Sequence, residues 1–270
     1  VAQPGLAFAG YTVEAELGRG GQAAVYLARG NRTPPVVALK VLDEHHRDPA
    51  GVARLAREYR VAGRLGHRHI VQVYEHGPYW MTMQYVDGGN VMGLPSVETK
   101  LAALAQIADA LDHTHRSGIV HADVKPTNIL VHQDFSRHGS ALIDFGVAHV
   151  LAEDVWHRPA EVVASLPYAA PELLQGRLPQ AATDEYALAC TALELLTGAP
   201  PFAADHPMAL VDAHLHLPPP DVSRQIPWLS RSFDLVLARA IAKDPDRRYP
   251  SCTELVQHIA ETVRRTAQNT

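Results

Sequence analysis

Within eight residues, His121-Ala122-Asp123-Val124-Lys125-Pro126-Thr127-Asn128, the chain sets a carboxylate, then an ammonium, then an amide on one short stretch. A second carboxylate comes later, in Asp144-Phe145-Gly146. Together these supply an acceptor for a hydroxyl proton, a cation that can face phosphate, and two oxygen ligands for a metal. Phosphoryl transfer from a magnesium nucleotide needs those parts, because its transition state is helped mainly by positioning and charge neutralisation.

Upstream, Gly18-Arg19-Gly20-Gly21-Gln22-Ala23-Ala24-Val25 separates two strand-like runs. Glycines let backbone amides approach phosphates with no Cβ in the way. A lone glycine-rich stretch is more often just a hairpin turn, so its weight depends on the residues downstream of it. Val37-Ala38-Leu39-Lys40 comes next, and Glu58 lies on a helical pattern beyond it.

Taken in this order, the motifs resemble the eukaryotic-like (Hanks-type) Ser/Thr protein kinases of bacteria. The resemblance runs from about Phe8 to about Arg264. Phe8-Ala9-Gly10-Tyr11, Ser165 to Glu172 and His214-Leu215-His216-Leu217-Pro218-Pro219-Pro220 are similar to segments of actinobacterial, especially mycobacterial, members.

The resemblance implies roles. Asp123 would accept or orient the substrate proton, and Lys125 would neutralise the transferring phosphoryl group. Asn128 and Asp144 would hold Mg2+, or Mn2+ in its place. Gly18, Gly20, Gly21 and Lys40 would meet the phosphates of ATP, with Glu58 holding Lys40. Val25, Ala38, Met83 and Leu130 would surround the adenine, with the backbone of Gln84 and Val86 bonding to it. His121 would pack the loop against Phe145. Ala170-Pro171-Glu172 would close the activation segment, Arg248 would pair with Glu172, and Asp184 would cap the catalytic loop. Lys125, two residues after Asp123, is similar to Ser/Thr rather than Tyr kinases. Where the family has a third glycine this chain has Ala23, a mild departure.

The elements that must position these groups are legible as patterns. Tyr11 to Leu17, Ala23 to Ala28, Val36 to Leu42, Val71 to Tyr74 and Trp80 to Val86 read as strands. Val52, Leu55, Ala56, Tyr59 and Ala62 recur at helical spacing, as do Leu101, Leu104, Ala105, Ala108 and Leu111. Residues 184 to 196 are apolar nearly all round, which predicts a buried helix. Phe233, Val236, Leu237, Ala240 and Ile241 mark another, and Ser251-x-x-Glu254 predicts the cap of the last. The expected fold is α+β and two-lobed. Residues 1–86 form a small β-rich lobe with one main helix, and residues 87–270 a larger, mostly helical lobe.

Composition excludes other classes. With 47% hydrophobic and 20% charged residues the chain is an ordinary globular protein, and a formal net charge of −5 argues against nucleic acid. No apolar run is long enough to span a membrane, and Val1 to Gly10 does not read as a secretory signal. A cytoplasmic location, with no membrane contact from this segment, is the expectation. In the family a membrane helix often comes after the kinase domain. Cys190 and Cys252 read as apolar fillers in helices. The pairs His67/His69, His113/His115 and His214/His216 are spaced i, i+2, which suits a metal only on a strand with further ligands nearby. The first begins a loop and the second ends a helix, where such residues diverge, so a metal site is not expected.

Regulation departs from the family. Most members have Arg before the catalytic Asp, and this chain has Ala122. No Ser, Thr or Tyr occurs between Gly146 and Ala164; the usual phosphosite region reads His157-Arg158-Pro159-Ala160-Glu161. Control by activation-loop phosphorylation is therefore not expected, and a homodimer formed through the small lobe is one substitute. Glu153, Asp154 and Glu161 read as solvated loop acids rather than phosphate mimics. Ser165 is expected to bond to Asp123 and Lys125. A protein kinase acting on protein hydroxyls is the leading reading; the alternative is an ATP-binding pseudokinase scaffold. Ala170-Pro171-Glu172 argues against a small-molecule phosphotransferase.

Overall fold

A computed structural model describes residues 5, 7–154 and 163–268. Strands β1 (Ala7–Phe8), β2 (Tyr11–Arg19), β3 (Ala23–Gly30), β4 (Val36–Leu42), β5 (Val73–Gly77) and β6 (Trp80–Gln84) form one antiparallel sheet, in the order β1-β2-β3-β4-β6-β5. Successive strand residues face opposite sides. Val37, Leu39 and Val41 therefore join Tyr11, Val13 and Tyr26 in one apolar layer, against which Tyr74 and Trp80 pack. Ala38 and Leu42 join Ala23, Leu55 and Met83 in the other layer. Lys40 lies between Ala38 and Leu42, so strand geometry alone turns it toward the second layer.

Helix α1 (Pro49–Ala62) covers that layer. Asp48 caps it by accepting from the Gly51 amide at 2.7 Å, and Pro49 starts it where no donor is needed. Its buried face is Gly51, Leu55, Glu58, Val61 and Ala62, whereas Val52, Ala56 and Tyr59 are only half-buried. The apolar periodicity thus misplaced the centre of the stripe. The helix is turned so that a charged residue, Glu58, occupies the middle of the interface.

The run expected as a strand at Val71 to Tyr74 also divides. β5 begins at Val73, while the Val71 amide donates to Leu142 O (3.0 Å) and the Leu142 amide to His69 O (2.8 Å). These bonds strap the sheet lobe to the helical lobe, a long-range pairing that β-propensity does not reveal. Tyr85 and Val86 leave β6 for the segment that joins the lobes.

In the helical lobe, α2 (Val97–Arg116) opens with a reciprocal cap between Ser96 and Thr99. It packs against the buried α5 (Ala181–Thr197) and α8 (Cys252–Gln268). Leu101, Leu104, Ala108 and Leu111 are buried as expected, and Ala105 is exposed. Ser251 caps α8 by accepting from the Glu254 amide at 3.1 Å. Among the described residues the remaining α-helices are α3 (Phe135–His138), α4 (Pro171–Leu174), α6 (Pro207–His216) and α7 (Arg231–Ala240). All five apolar positions expected for α7, Ile241 just past its end included, are buried. Cys190 and Cys252 are free and buried.

Two small ribbons on this lobe matter most for the site. β7 (Ile119–Val120) pairs with β10 (His149–Val150), and β8 (Ile129–Val131) with β9 (Ser140–Leu142). Residues 121–128 and 143–148 are the connections between them, held side by side beneath the sheet. Among the described residues no helix is long and apolar enough to cross a membrane.

Candidate active site

The loop after β7 is held by one buried carboxylate. Asp184, in the first turn of α5, accepts from the Ala122 amide (2.7 Å) and the His121 amide (2.8 Å), and bonds His115 Nε2 (2.8 Å). The loop needs this support because Ala122 has φ +64°, the left-handed region that costs a non-glycine residue about 1–2 kcal/mol. Ala122→Gly should remove most of that strain and raise stability by up to about 1 kcal/mol, read as a melting point about 2–3 °C higher. His121 is fully buried, with Nε2 3.0 Å from Ile143 O and its ring edge-on to Phe145 at 4.8 Å. Asp144 is also left-handed, at φ +66°. The approach is close enough that a Cβ on Gly146 would lie 3.1 Å from Asp144 Oδ1 and 3.4 Å from Glu58 Oε2, so glycine is the residue that fits.

Two arrays result. In one, Ser165 Oγ donates to Asp123 Oδ1 (2.5 Å) and accepts from Lys125 Nζ (2.7 Å), while Lys125 Nζ also reaches Asp123 Oδ2 (2.7 Å). Asn128 Nδ2 donates to Asp123 Oδ2 (3.0 Å) and to the Asp123 carbonyl (2.8 Å), which leaves Asn128 Oδ1 to offer a cation. In the other, Lys40 Nζ bonds both Glu58 oxygens (2.7 and 2.8 Å) and lies 3.5 Å from Asp144 Oδ1. The arrays face each other across a cleft of about 1200 Å³ between sheet and helices.

That cleft brings together nearly every residue singled out by sequence. Gly18, Gly20, Gly21 and Val25 line its roof with Ala38, Lys40 and Glu58; Met83, Gln84 and Val86 line its back; Asp123, Lys125, Leu130 and Asp144 line its floor. Asn128 stands just behind the lining, attached to Asp123. The Gln84 amide already donates to Gln72 O at 2.7 Å, so only its carbonyl is a candidate for a base. Sequence reading missed Leu17 and Ile143, which also line the cleft. Each is an apolar residue next to a motif, at Gly18 and at Asp144, and that adjacency was the available signal.

The model of the protein kinase domain matches residues 11–259. The chain belongs to the protein kinase family. Its relatives include the serine/threonine-protein kinase PknJ of Mycobacterium tuberculosis, 42% identical over 269 residues, or 95% of this chain and 46% of PknJ. PknF of the same organism is 37% identical over 271 residues, covering 94% of this chain and 56% of PknF. The chain thus spans about half the length of the curated relatives it matches. A crystal structure of the Mycobacterium tuberculosis PknI kinase domain has a TM-score of 0.72 and 34% identity, covering 97% of this chain and 99% of that one. The chain is a protein kinase domain whose relatives are named serine/threonine-protein kinases, in a family that uses ATP and a divalent metal.

The kinase cleft is electrostatically prepared for both. Burial opposes the charge on Lys40, but the Glu58 and Asp144 carboxylates outweigh it and raise its pKa above that of an ordinary lysine. Burial likewise opposes ionisation of Asp144, yet Lys40, then His121 and the Gly146 amide, outweigh it and hold that carboxyl below the usual Asp value. Both groups are therefore charged at neutral pH. Asp144 and Asn128 are hard oxygen donors, the set that Mg2+ prefers.

Asp154 is not a solvated loop acid: it is 9% exposed, accepts from the Val150 amide (2.7 Å) and bonds the Arg57 guanidinium. Glu153 is exposed and paired with Arg64 at 2.7 Å. Glu161 and the segment from His157 to Glu161 lie outside the described residues. Most of the paired histidines meet protein partners: His67 meets Asp109 and stacks on His113, His69 bonds Ser140 O and His214 bonds Tyr186, whereas His216 is exposed. Asp112, His115 and Cys252 come within 4.8 Å of one another, but Asp112 accepts from the Cys252 and Thr253 amides and His115 bonds Asp184.

Proposed function

We propose that this domain transfers the γ-phosphoryl group of ATP to Ser and Thr hydroxyls of proteins, with residues 1–86 and 87–270 as lobes that close on the nucleotide. The observation that carries this reading is the pairing of Lys40 with Glu58 and Asp144 opposite the bonded trio of Asp123, Lys125 and Ser165 in one cleft. Lys40 meets the α- and β-phosphates. Gly18, Gly20 and Gly21 approach them from above, and a Cβ built on Gly18 or Gly21 meets no described atom within 4 Å. The fold itself does not demand glycine at those two positions, whereas close approach of a phosphate does.

Val25, Ala38, Met83 and Leu130 enclose the adenine, which bonds to the Gln84 carbonyl and the Val86 backbone. Asp123 orients the attacking hydroxyl and takes its proton as the bond from that oxygen to the γ-phosphorus forms and the bond to the β-phosphate oxygen breaks. Lys125 offsets the charge on the moving group, and Ser165 holds both in register. Asp144 and Asn128 would hold Mg2+, with Mn2+ as a substitute; when bound, the metal supplies neutralisation of phosphate charge. The domain works in the cytoplasm on protein substrates.

The test is transfer of label from γ-labelled ATP to a basic protein rich in Ser and Thr. Label should appear as phosphoserine or phosphothreonine, stop on chelation with EDTA, and return with added Mg2+ or Mn2+. Transfer that is insensitive to EDTA, or no transfer at all, sinks the reading.

A further inference from the structure

Arg57 neighbours Glu58 on α1, and its guanidinium crosses the cleft entrance to the opposite lobe. It donates to the Ala148 carbonyl at 2.5 Å and to the Asp154 carboxylate. The pair is largely withdrawn from water, with side-chain exposures of 27% and 12%. Asp154 is itself immobilised: its carboxylate accepts from the Val150 amide at 2.7 Å, and its own amide donates to Val150 O at 2.9 Å. A carboxylate at this depth is tolerated because it is both paired and hydrogen-bonded.

Three parts of the machinery meet at this contact. α1 carries Glu58, and through it Lys40. β10, which Asp154 caps, pairs with β7, whose last residue leads into His121 and Asp123. Ala148 ends the short stretch that begins at Asp144. Residues 57 and 58 lie about 100° apart around the helix. Fixing Arg57 on the lower lobe therefore sets both the rotation and the height at which Glu58 meets Lys40. A swing of α1 away from the cleft breaks the two ion pairs together.

We propose that Arg57 and Asp154 are positioning residues that hold α1 in the arrangement where Lys40 and Glu58 pair, and that Asp154 supplies permanently the negative charge that a phosphorylated residue would otherwise bring. The proposal rests on the kinase reading above. It accounts for a segment without Ser, Thr or Tyr from Gly146 to Ala164, and for Ala122 beside the catalytic Asp. Arg64, just past the end of α1, and Glu153, next to Asp154, pair close by at 2.7 Å, but both are about half exposed, at 46% and 45%. Exposed pairs of that kind contribute little. They are the internal control.

The experiment uses the full chain after phosphatase treatment. Treated and untreated protein should have equal kcat/KM. Asp154→Asn should lower kcat/KM about tenfold or more, with a melting point close to the parent's, and Asp154→Glu should recover most of the loss. Arg64→Ala should leave activity unchanged. In a double-mutant cycle, Asp154→Asn added to Glu58→Gln should cause almost no further loss, because both act through Lys40. Hydrogen exchange reads the helix independently of catalysis: amides of Val52–Ala62 should exchange about tenfold faster in Asp154→Asn and at the parent's rate in Arg64→Ala. Losses that multiply in the cycle, unchanged exchange in α1, or activity that disappears with phosphatase would each overturn the clamp. If the parent transfers no phosphate, the kinase reading fails while the exchange result still decides the clamp.

Discussion

Asp123→Asn should lower kcat by about 10²–10⁴-fold and leave ATP affinity within about threefold. The carboxylate is the convergence point of the floor array, taking Ser165 Oγ on one oxygen and Lys125 Nζ with Asn128 Nδ2 on the other. Asparagine has nearly the same shape, so the loop stays in place, held independently by Asp184 through the His121 and Ala122 amides. Its neutral amide, however, cannot take up a proton, and it turns a donor toward a group that is itself a donor. In the proposed reaction the nucleotide is held by other residues: the glycine loop, Lys40 and the segment from Met83 to Val86. The loss should therefore fall on turnover and not on binding. Single-turnover kinetics beside calorimetric ATP titration separates the two. A variant that keeps more than about a tenth of parental kcat would show that another group receives the hydroxyl proton.

The second large effect concerns stability. Arg248 and Glu172 form a bidentate pair, at 2.9 Å on each oxygen, with side chains 0% and 2% exposed. Arg248 also donates to Ala182 O (2.7 Å) and Ala242 O (2.9 Å), and lies over the Tyr186 ring. Thr183 Oγ donates to Glu172 Oε1 at 2.8 Å. Removing one partner from such a network strands a buried charge. Arg248→Met is expected to cost about 3–5 kcal/mol, a melting point lower by about 10 °C. Glu172→Gln should be similar in direction. The double variant Glu172→Leu with Arg248→Met should be less destabilised than the sum of the singles, because it leaves no lone charge inside. Denaturant titration of the four proteins is the check. Strict additivity would mean that the two side chains do not act as a pair. Glu172 is on α4 and Arg248 lies beyond α7, so the pair also anchors the segment from Ser165 to Ala170 that leads into α4.

Much of the site was legible because its chemistry is local. Asp123, Lys125 and Asn128 share one loop, and backbone spacing alone delivers them to one side of it. Lys40 is placed by the alternation of a strand whose apolar neighbours, Leu39 and Val41, must face the other way. The apolar character of residues 184 to 196 predicted a helix with no solvent face, and α5 is buried on nearly every side. Strand β4 was found to the residue, and β2, β3 and β6 were each found with their last residue misplaced by two.

What the linear order could not disclose depends on partners far along the chain. Asp154 looked like a surface acid in a polar loop, and its partner Arg57 lies 97 positions away. The burial of a charged group is decided by what folds over it, and an isolated segment carries no record of that. Apolar spacing alone favoured one stripe on α1, but the Lys40–Glu58 bond outweighed the small difference in apolar burial and turned the helix. Val71 left its expected strand for a partner on the other lobe. Residue types and intervals along the chain thus determined the family and the fold class, and named the candidate reacting groups that the fold brings to one cleft. Only the packed molecule decided which acid is structural, which face of α1 is inward, and which left-handed residues the loops require. Composition and spacing encode local conformation and charge, whereas the worth of each charge is set by water excluded through contacts between distant segments.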